Sequence, residues 1–525
     1  MKKLCCIILA FFLVLAINSC KSEDPKVSAY IKSKFEDDNV IVIDLNNKSP
    51  INDGIFEGWG TSLCWWGNRV GENEKLSNDL VDLFFTLDKG IGLNIVRYNI
   101  GGGDDPSHNH ITRTDSAMPG FWKNVDKKGN FDYDWTADTR QRNVLKKIAS
   151  TVDQKDLIIE FFSNSPPYFM TNSGCSSGAN FGFHDNIRED MYEAFAEYLA
   201  EVTYQLQKID GVRVTSLEPM NETGSDSWKA YSKKQEGCHI SRGQNQSKLL
   251  VLTRKALDKR NLQNVLVSGC DDEGVKHQIS SFKLLSREAK SILGRINTHT
   301  YKNSNLSELT DLAVNNNKNL WVSETDGERS KGMNNGQMGP AVYFAEKIIE
   351  DMNYIKPSAW IIWQATAGYM DDKPFNGIID GYYGNPNFED GFWGTAITDF
   401  VNEKVWLSKK YYAFGQFTKF IRPGDYVIYT GLKDFLASYN PNSSQISIVC
   451  VNSDDEDKTF SFDLSSSVKN WKNIKAVRTS GDNLDLGENL GQVDADIESL
   501  DDGLFEANLI PYSVTTFIIE GVELL

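Results

Sequence analysis

The stretch Val214-Thr-Ser-Leu-Glu-Pro-Met-Asn-Glu222 decides the reading of this chain. Val212, Val214 and Leu217 mark a short, mostly buried strand, and Pro219 forbids further ladder pairing. Glu218 to Glu222 therefore lie at its C-terminal end. There a carboxyl can be partly desolvated and an amide can hold a substrate hydroxyl. A second stretch of the same kind is Asn319-Leu-Trp-Val-Ser-Glu-Thr-Asp326, a buried strand ending in Glu324. Glu222 and Glu324 are separated by about 100 residues, or three βα units at roughly 31 residues each in a (β/α)8 barrel. That spacing suits strands four and seven. Two carboxylates facing each other across the top of a barrel are the minimum equipment for hydrolysing a glycosidic bond.

Working outward, strands and helices alternate, which argues for an α/β fold with a parallel sheet. Gly58 to Leu63, Asn94 to Asn99 and Leu157 to Phe162 give strands one to three. Asn264 to Ser268, Arg295 to His299, Leu320 to Ser323 and Ala359 to Trp363 give strands five to eight. Leu76, Leu80, Leu83, Phe84 and Leu87 recur at helical spacing, with Gly90 as the stop. Residues 101–135 show no strong periodicity, and loops that long are usually functional.

After about Lys419 the chain changes to short strands separated by turn residues, the pattern of an antiparallel sandwich. The strand at Val40 to Ile43 has no barrel place and is assigned to the same sandwich. The expected organisation is 39–57 as sandwich strand, 58–420 as a (β/α)8 TIM barrel, and 421–525 as the C-terminal side β-sandwich. Residues 1–20 are expected to be a signal. Met1-Lys-Lys3 is basic and Leu4 to Ile17 is apolar but short for a membrane span. The run ends at Ile17-Asn-Ser-Cys20, which resembles a bacterial lipoprotein signal with Cys20 as the lipidated residue. Residues 21–38 then form a polar tether. The expectation is a monomer held at the cell-surface face of a Gram-negative outer membrane, touching membrane only through its lipid.

The 72 acidic and 55 basic residues give a net charge of -17, which argues against nucleic acid or an anionic membrane surface as partner. A neutral polysaccharide or oligosaccharide suits it. Cys64, Cys175, Cys238, Cys270 and Cys450 are too few and scattered for a disulfide framework, although one bridge from Cys175 to Cys238 is conceivable. No His-Glu-x-x-His or Cys-x-x-Cys spacing points to zinc, and no phosphate loop stands out, so neither metal nor cofactor is expected.

Several segments in this order resemble glycoside hydrolase family 30, in the clan of (β/α)8 retaining enzymes. They are Gly58-Trp-Gly-Thr-Ser-Leu-Cys-Trp-Trp66, Val96-Arg-Tyr-Asn-Ile-Gly-Gly-Gly-Asp104, Phe162-Ser-Asn-Ser-Pro-Pro167, Asn221-Glu222, Ser323-Glu324 and Phe414 to Gly424. The first is most similar to endo-β-1,6-galactanases, while xylanases, β-1,6-glucanases and other β-glycosidases of the family share the two glutamates. The family also carries a side sandwich built from both termini.

The resemblance implies Glu324 as nucleophile, Glu222 as acid/base with a raised pKa, and Asn221 on the sugar 2-hydroxyl. It implies further that Arg97 keeps Glu324 ionised, or forms an ion pair within the barrel. His299 and Tyr301 would touch Glu324 or the sugar, and Trp363 would floor the subsite. Trp65, Trp66, Asn164 and Tyr168 would be subsite walls, and Trp122, Trp135 and Trp228 would stack outer sugars or plug loops. One departure is that Thr223 stands where the family has Pro after the acid/base, while Glu218-Pro219 precedes it. Glu218 therefore remains an alternative acid. A binding lipoprotein without activity is the other open class.

Overall fold

The computed structural model describes residues 39–108, 110–327, 334–372, 375, 391–481, 486–500 and 503–525. The signal, Cys20 and the tether lie outside the described residues. Eight strands close a barrel: β1 (Gly58–Ser62), β2 (Ile95–Asn99), β3 (Ile158–Phe162), β4 (Ser216–Glu218), β5 (Leu266–Gly274), β6 (Leu293–Lys302), β7 (Asn319–Thr325) and β8 (Ala359–Gln364). Each is parallel to its neighbours, and β8 pairs with β1 to complete the circuit. Helices such as Glu74–Phe85, Tyr192–Asp210 and Met338–Tyr354 fill the crossovers. The strands read as near-continuous apolar runs because helices cover their outer face.

Local chemistry sets the element ends. Asn73 caps the first long helix by accepting from Leu76 N, and Leu76, Leu80 and Phe84 form its buried stripe. That helix ends at Phe85 rather than at Gly90. Thr86 is extended, and its hydroxyl donates back to Asp82 O. Leu87 therefore leaves the stripe and is half exposed. β4 is only three residues long; Val212 and Val214 are buried on the approach but lie outside the strand. β5 and β6 extend beyond the runs that announced them, because buried polar residues such as Asp272 and Thr300 continue the strands.

The sandwich has a six-stranded sheet, including Gln445–Asn452 and Ser513–Glu520, facing a four-stranded sheet. Val40–Val42 joins the latter, parallel to Lys458–Asp463. Its core is aromatic: Phe462 stacks on Phe505 at 4.6 Å and meets Phe517 at 5.3 Å. The strand Leu504–Leu509 and a three-stranded sheet over Thr366–Met370, Ala396–Asp399 and Lys404–Leu407 were not foreseen.

Candidate active site

Glu222 stands four residues beyond the end of β4, and Glu324 is the penultimate residue of β7, both on the C-terminal face of the barrel. The register places Glu324 beside His299 on β6. One oxygen of each carboxylate and one imidazole nitrogen of His299 lie within 4.8 Å of one another. His299 Nδ1 is 3.0 Å from Glu222 Oε1 and 3.6 Å from Glu324 Oε1, and Nε2 is 3.3 Å from Asp271 Oδ1. Tyr301 donates its hydroxyl to Glu324 Oε1 at 3.1 Å. Glu222 holds a left-handed backbone, φ 48°, and its N–H donates to the carbonyl of Asp271, which is also left-handed at φ 58°. Such conformations cost a non-glycine residue energy and survive where the surroundings fix them.

Beneath the two glutamates the barrel is charged rather than apolar. Arg97, fully buried on β2, binds Glu160 through Nε at 2.9 Å, Asp271 through Nη2 at 2.6 Å and Ser323 O through Nη1 at 3.1 Å. Its contact with Glu324 Oε2 is longer, 3.5 Å. The guanidinium is thus chiefly an internal ion-pair hub with Glu324 at its edge. Glu160 also accepts from Ser216 and Ser268 at 2.8 Å each, from Asn297 at 2.8 Å and from Arg295. Full pairing offsets the desolvation cost of these buried charges.

The charges set the protonation pattern. Burial alone would depress His299, but Glu324 and Asp271 outweigh it and raise the imidazole well above its ordinary range. Burial would raise Asp271, yet Arg97 and His299 hold it well below the usual carboxylate range. A doubly protonated His299 carries a proton on each nitrogen and has no lone pair for a metal, although Glu222, His299 and Glu324 are otherwise spaced for one. Burial pushes Glu324 up to about 7; Glu222 adds to the rise, and His299 and Arg97 oppose it. Glu324 is the more buried of the two side chains, 5% exposed against 17% for Glu222.

The alternative acid, Glu218, sits inside the barrel wall with no exposure, four residues from the cleft. Burial, with Asp271 and Glu160 nearby, keeps its carboxyl well above the ordinary value, and neither oxygen has a hydrogen-bond partner among the described residues. Asn221 is buried with its Oδ1 unpartnered among the described residues. Asn164 donates to Asn99 at 3.2 Å and leaves its own Oδ1 unpartnered in the same sense. Buried polar atoms without partners are costly unless a ligand satisfies them.

Trp65 and Trp363 meet edge to face at 5.7 Å in an apolar cluster with Phe162, over which Arg97 lies at 4.2 Å. Trp393, unforeseen, packs on that cluster and stands 6.1 Å from the Tyr301 ring. Trp66 is not a subsite wall. It turns the other way into the main core, and its Nε1 donates to Ser62 O at 2.7 Å. Tyr168 stays on the rim, edge-on to Trp122 at 5.4 Å. Trp122 donates to Gly102 O at 2.6 Å, and Trp135 stacks on Tyr133 at 4.7 Å. Trp228 is buried and donates to Glu222 O at 2.9 Å, so it braces the loop that carries Glu222. Cys175 and Cys238 are both free thiols, so the bridge is absent. Cys175 packs instead against His110 and Ser177.

The residues missed were Asp271, Glu160, Glu236, Arg295 and Trp393. Asp271 carried a usable signal, as an acidic residue beside an apolar strand that leads into the barrel mouth.

The model of O-glycosyl hydrolase family 30 matches residues 39–280. An endo-beta-1,6-galactanase from Hypocrea rufa is 28% identical, across 94% of this chain and 98% of that protein. An exo-beta-1,6-galactobiohydrolase from Bifidobacterium longum subsp. longum is 25% identical, across 78% of this chain but 34% of that longer protein. The catalytic domain of xylanase C from Talaromyces cellulolyticus shares the fold, with a TM-score of 0.66 at 17% identity over 91% of this chain and 99% of that domain. The barrel, the side sandwich and the motifs all agree with this similarity to glycoside hydrolase family 30.

Proposed function

We propose that this glycosidase cleaves the β-1,6-linked galactan side chains of arabinogalactan with retention of configuration. Glu324 attacks the anomeric carbon while Glu222 protonates the leaving oxygen, and Glu222 then deprotonates the water that frees the sugar. The observation that carries this reading is the approach of Glu222 and Glu324 to within 4.8 Å, with His299 touching both. Retaining enzymes hold their carboxyls about 5–5.5 Å apart, whereas inverting ones leave roughly 6.5–9.5 Å for a water. Tyr301 and the edge of Arg97 orient and partly neutralise Glu324. The unpartnered Oδ1 of Asn221 is available to a sugar hydroxyl.

The choice of β-1,6-galactan rests on the two relatives named for β-1,6-galactan chemistry. A xylanase or β-1,6-glucanase would use the same glutamates, and the xylanase neighbour keeps that alternative in view. Retention of both carboxylates in one buried site argues against an inactive binding protein. We further propose that the chain acts as a monomer, tethered through Cys20 to the outer face of a Gram-negative outer membrane.

The test is digestion of de-arabinosylated galactan, glucuronoxylan and β-1,6-glucan, with the anomer released followed by proton NMR from the first minutes. Short galacto-oligosaccharides as β-anomers are expected. Activity confined to xylan would overturn the substrate, and the α-anomer would overturn the mechanism.

A further inference from the structure

We propose that Asp104, His108, His110 and Cys175 form a binding site for one divalent transition-metal ion, with zinc the best match. One ligand atom from each residue lies within 4.8 Å of the other three. His110 lies between two of the others, with Nδ1 3.1 Å from Asp104 Oδ2 and Nε2 3.3 Å from Cys175 Sγ, and an ion would take one of these two nitrogens. A tetrahedral zinc ion with bonds of about 2.0–2.3 Å holds its ligand atoms roughly 3.3–3.8 Å apart, so the cluster needs little closure. One thiolate, two imidazoles and one carboxylate suit zinc better than magnesium or calcium, which favour oxygen.

A second observation points the same way. His108 Nδ1 is buried and has no hydrogen-bond partner among the described residues. A purely hydrogen-bonded cluster has no reason to leave that ring nitrogen so. The outer contacts already orient the ligands as metal ligands are usually oriented. Ser176 N–H donates to Asp104 Oδ1 at 2.8 Å, leaving Oδ2 for an ion. Tyr231 N–H donates to Cys175 Sγ at 3.3 Å. The Tyr231 ring packs on His108 at 4.9 Å and on His110 at 5.4 Å. A cavity of 440 Å³, lined in part by Asp104, His110 and Ser176, offers a path in.

The site joins three loops. Asp104, His108 and His110 follow β2, Cys175 follows β3, and Tyr231 follows β4. His110 and Cys175 are 65 residues apart in the chain, so no zinc spacing announces them. An ion here would tie these loops on the rim of the barrel, close to Tyr168 and Trp122. On binding, the Cys175 thiol gives its proton to solvent as the sulfur–metal bond forms, and both imidazoles bind neutral.

The experiment uses the full chain without a histidine tag. Metal content is measured as purified, and the chelator-stripped protein is titrated with Co²⁺ and with Zn²⁺. The expected result is one equivalent bound, a near-ultraviolet thiolate-to-cobalt charge-transfer band, and a melting temperature raised by Zn²⁺. Cys175→Ser should abolish the band and the thermal gain, and His110→Gln should weaken both if Cys175→Ser does not fold. No thiolate band on cobalt titration overturns the site, as does a band that survives Cys175→Ser. Metal binding that inhibits hydrolysis without that band would place the ion at Glu222 and Glu324 and also overturns it.

Discussion

His299 Nδ1 stands 3.0 Å from Glu222 Oε1 on one side and belongs, through β6, to the strand beside Glu324. The charged imidazole favours the ionised form of Glu324. Glu324 is raised to about 7 by burial, with His299 the strongest influence pulling it down. Glu324 attacks only as the carboxylate, so the acid limb of kcat/KM for the parent should rise through about pH 7. His299→Asn removes the cation that favours the ionised form, so this limb should move to higher pH and the maximal rate should drop. An unchanged acid limb in the variant would show that His299 only packs.

Tyr301 supplies the one hydrogen bond made to Glu324 Oε1 by a neutral donor among the described residues. A hydrogen bond to a charged acceptor contributes about 1.5–3 kcal/mol, so Tyr301→Phe should cost roughly 10- to 150-fold in kcat/KM. The loss should appear in kcat more than in KM, because the bond steadies the nucleophile. A pure KM effect would move Tyr301 to a sugar-binding role.

Much of this was legible before any coordinates. The barrel strands are apolar runs because both faces are covered, and the two glutamates stand out because they end such runs. The charged layer of Glu160, Asp271 and Arg295 was not legible, since a charged residue reads as surface until its partners are known. Those partners lie far off in sequence: Glu160 and Arg295 are 135 residues apart. Trp65 and Trp66 are adjacent and look interchangeable. The helix Trp66–Val70 starts between them and turns one towards the cleft cluster and the other into the core.

Glu236 gives a stability prediction. Its buried carboxyl accepts from Gly103 N–H at 2.8 Å, yet burial still lifts it from 4.5 to about 8. The folded state thus binds a proton more tightly than the unfolded one. The stability this contributes is fully present below about 4.5 and is lost as pH rises through about 8. Glu236→Gln cannot ionise. It should change the melting temperature little at pH 5 and make the protein relatively more stable at pH 9, by a few kcal/mol at about 1.4 kcal/mol per unit. Parallel pH profiles for the two proteins would refute the assignment.

Cys20 tests the proposed location. Cys20→Ala removes the residue proposed to carry the lipid while leaving the apolar run Leu4 to Ile17 in place. The variant should leave the membrane fraction and appear in soluble form. If it stays as membrane-bound as the parent, the anchor is something other than a lipid on Cys20.

The two glutamates should fail differently, and the difference identifies each. Glu324→Ala removes the atom that forms the covalent bond, so every substrate should suffer alike. Glu222→Ala removes a proton donor, which matters little when the leaving group is already good. An activated aryl glycoside should therefore still load Glu324 in the Glu222→Ala variant, and the glycosyl-enzyme should accumulate because no base activates water. Azide needs no base. It fits the space vacated by the Glu222 carboxyl, attacks the anomeric carbon from the face opposite Glu324 and should yield a β-glycosyl azide with restored turnover. In Glu324→Ala, azide takes the place of the nucleophile itself and should give the α-azide. Glu218 has no exposure, so Glu218→Gln should need no rescue. Azide rescue with the β-product at Glu218 and not at Glu222 would move the acid/base four residues upstream.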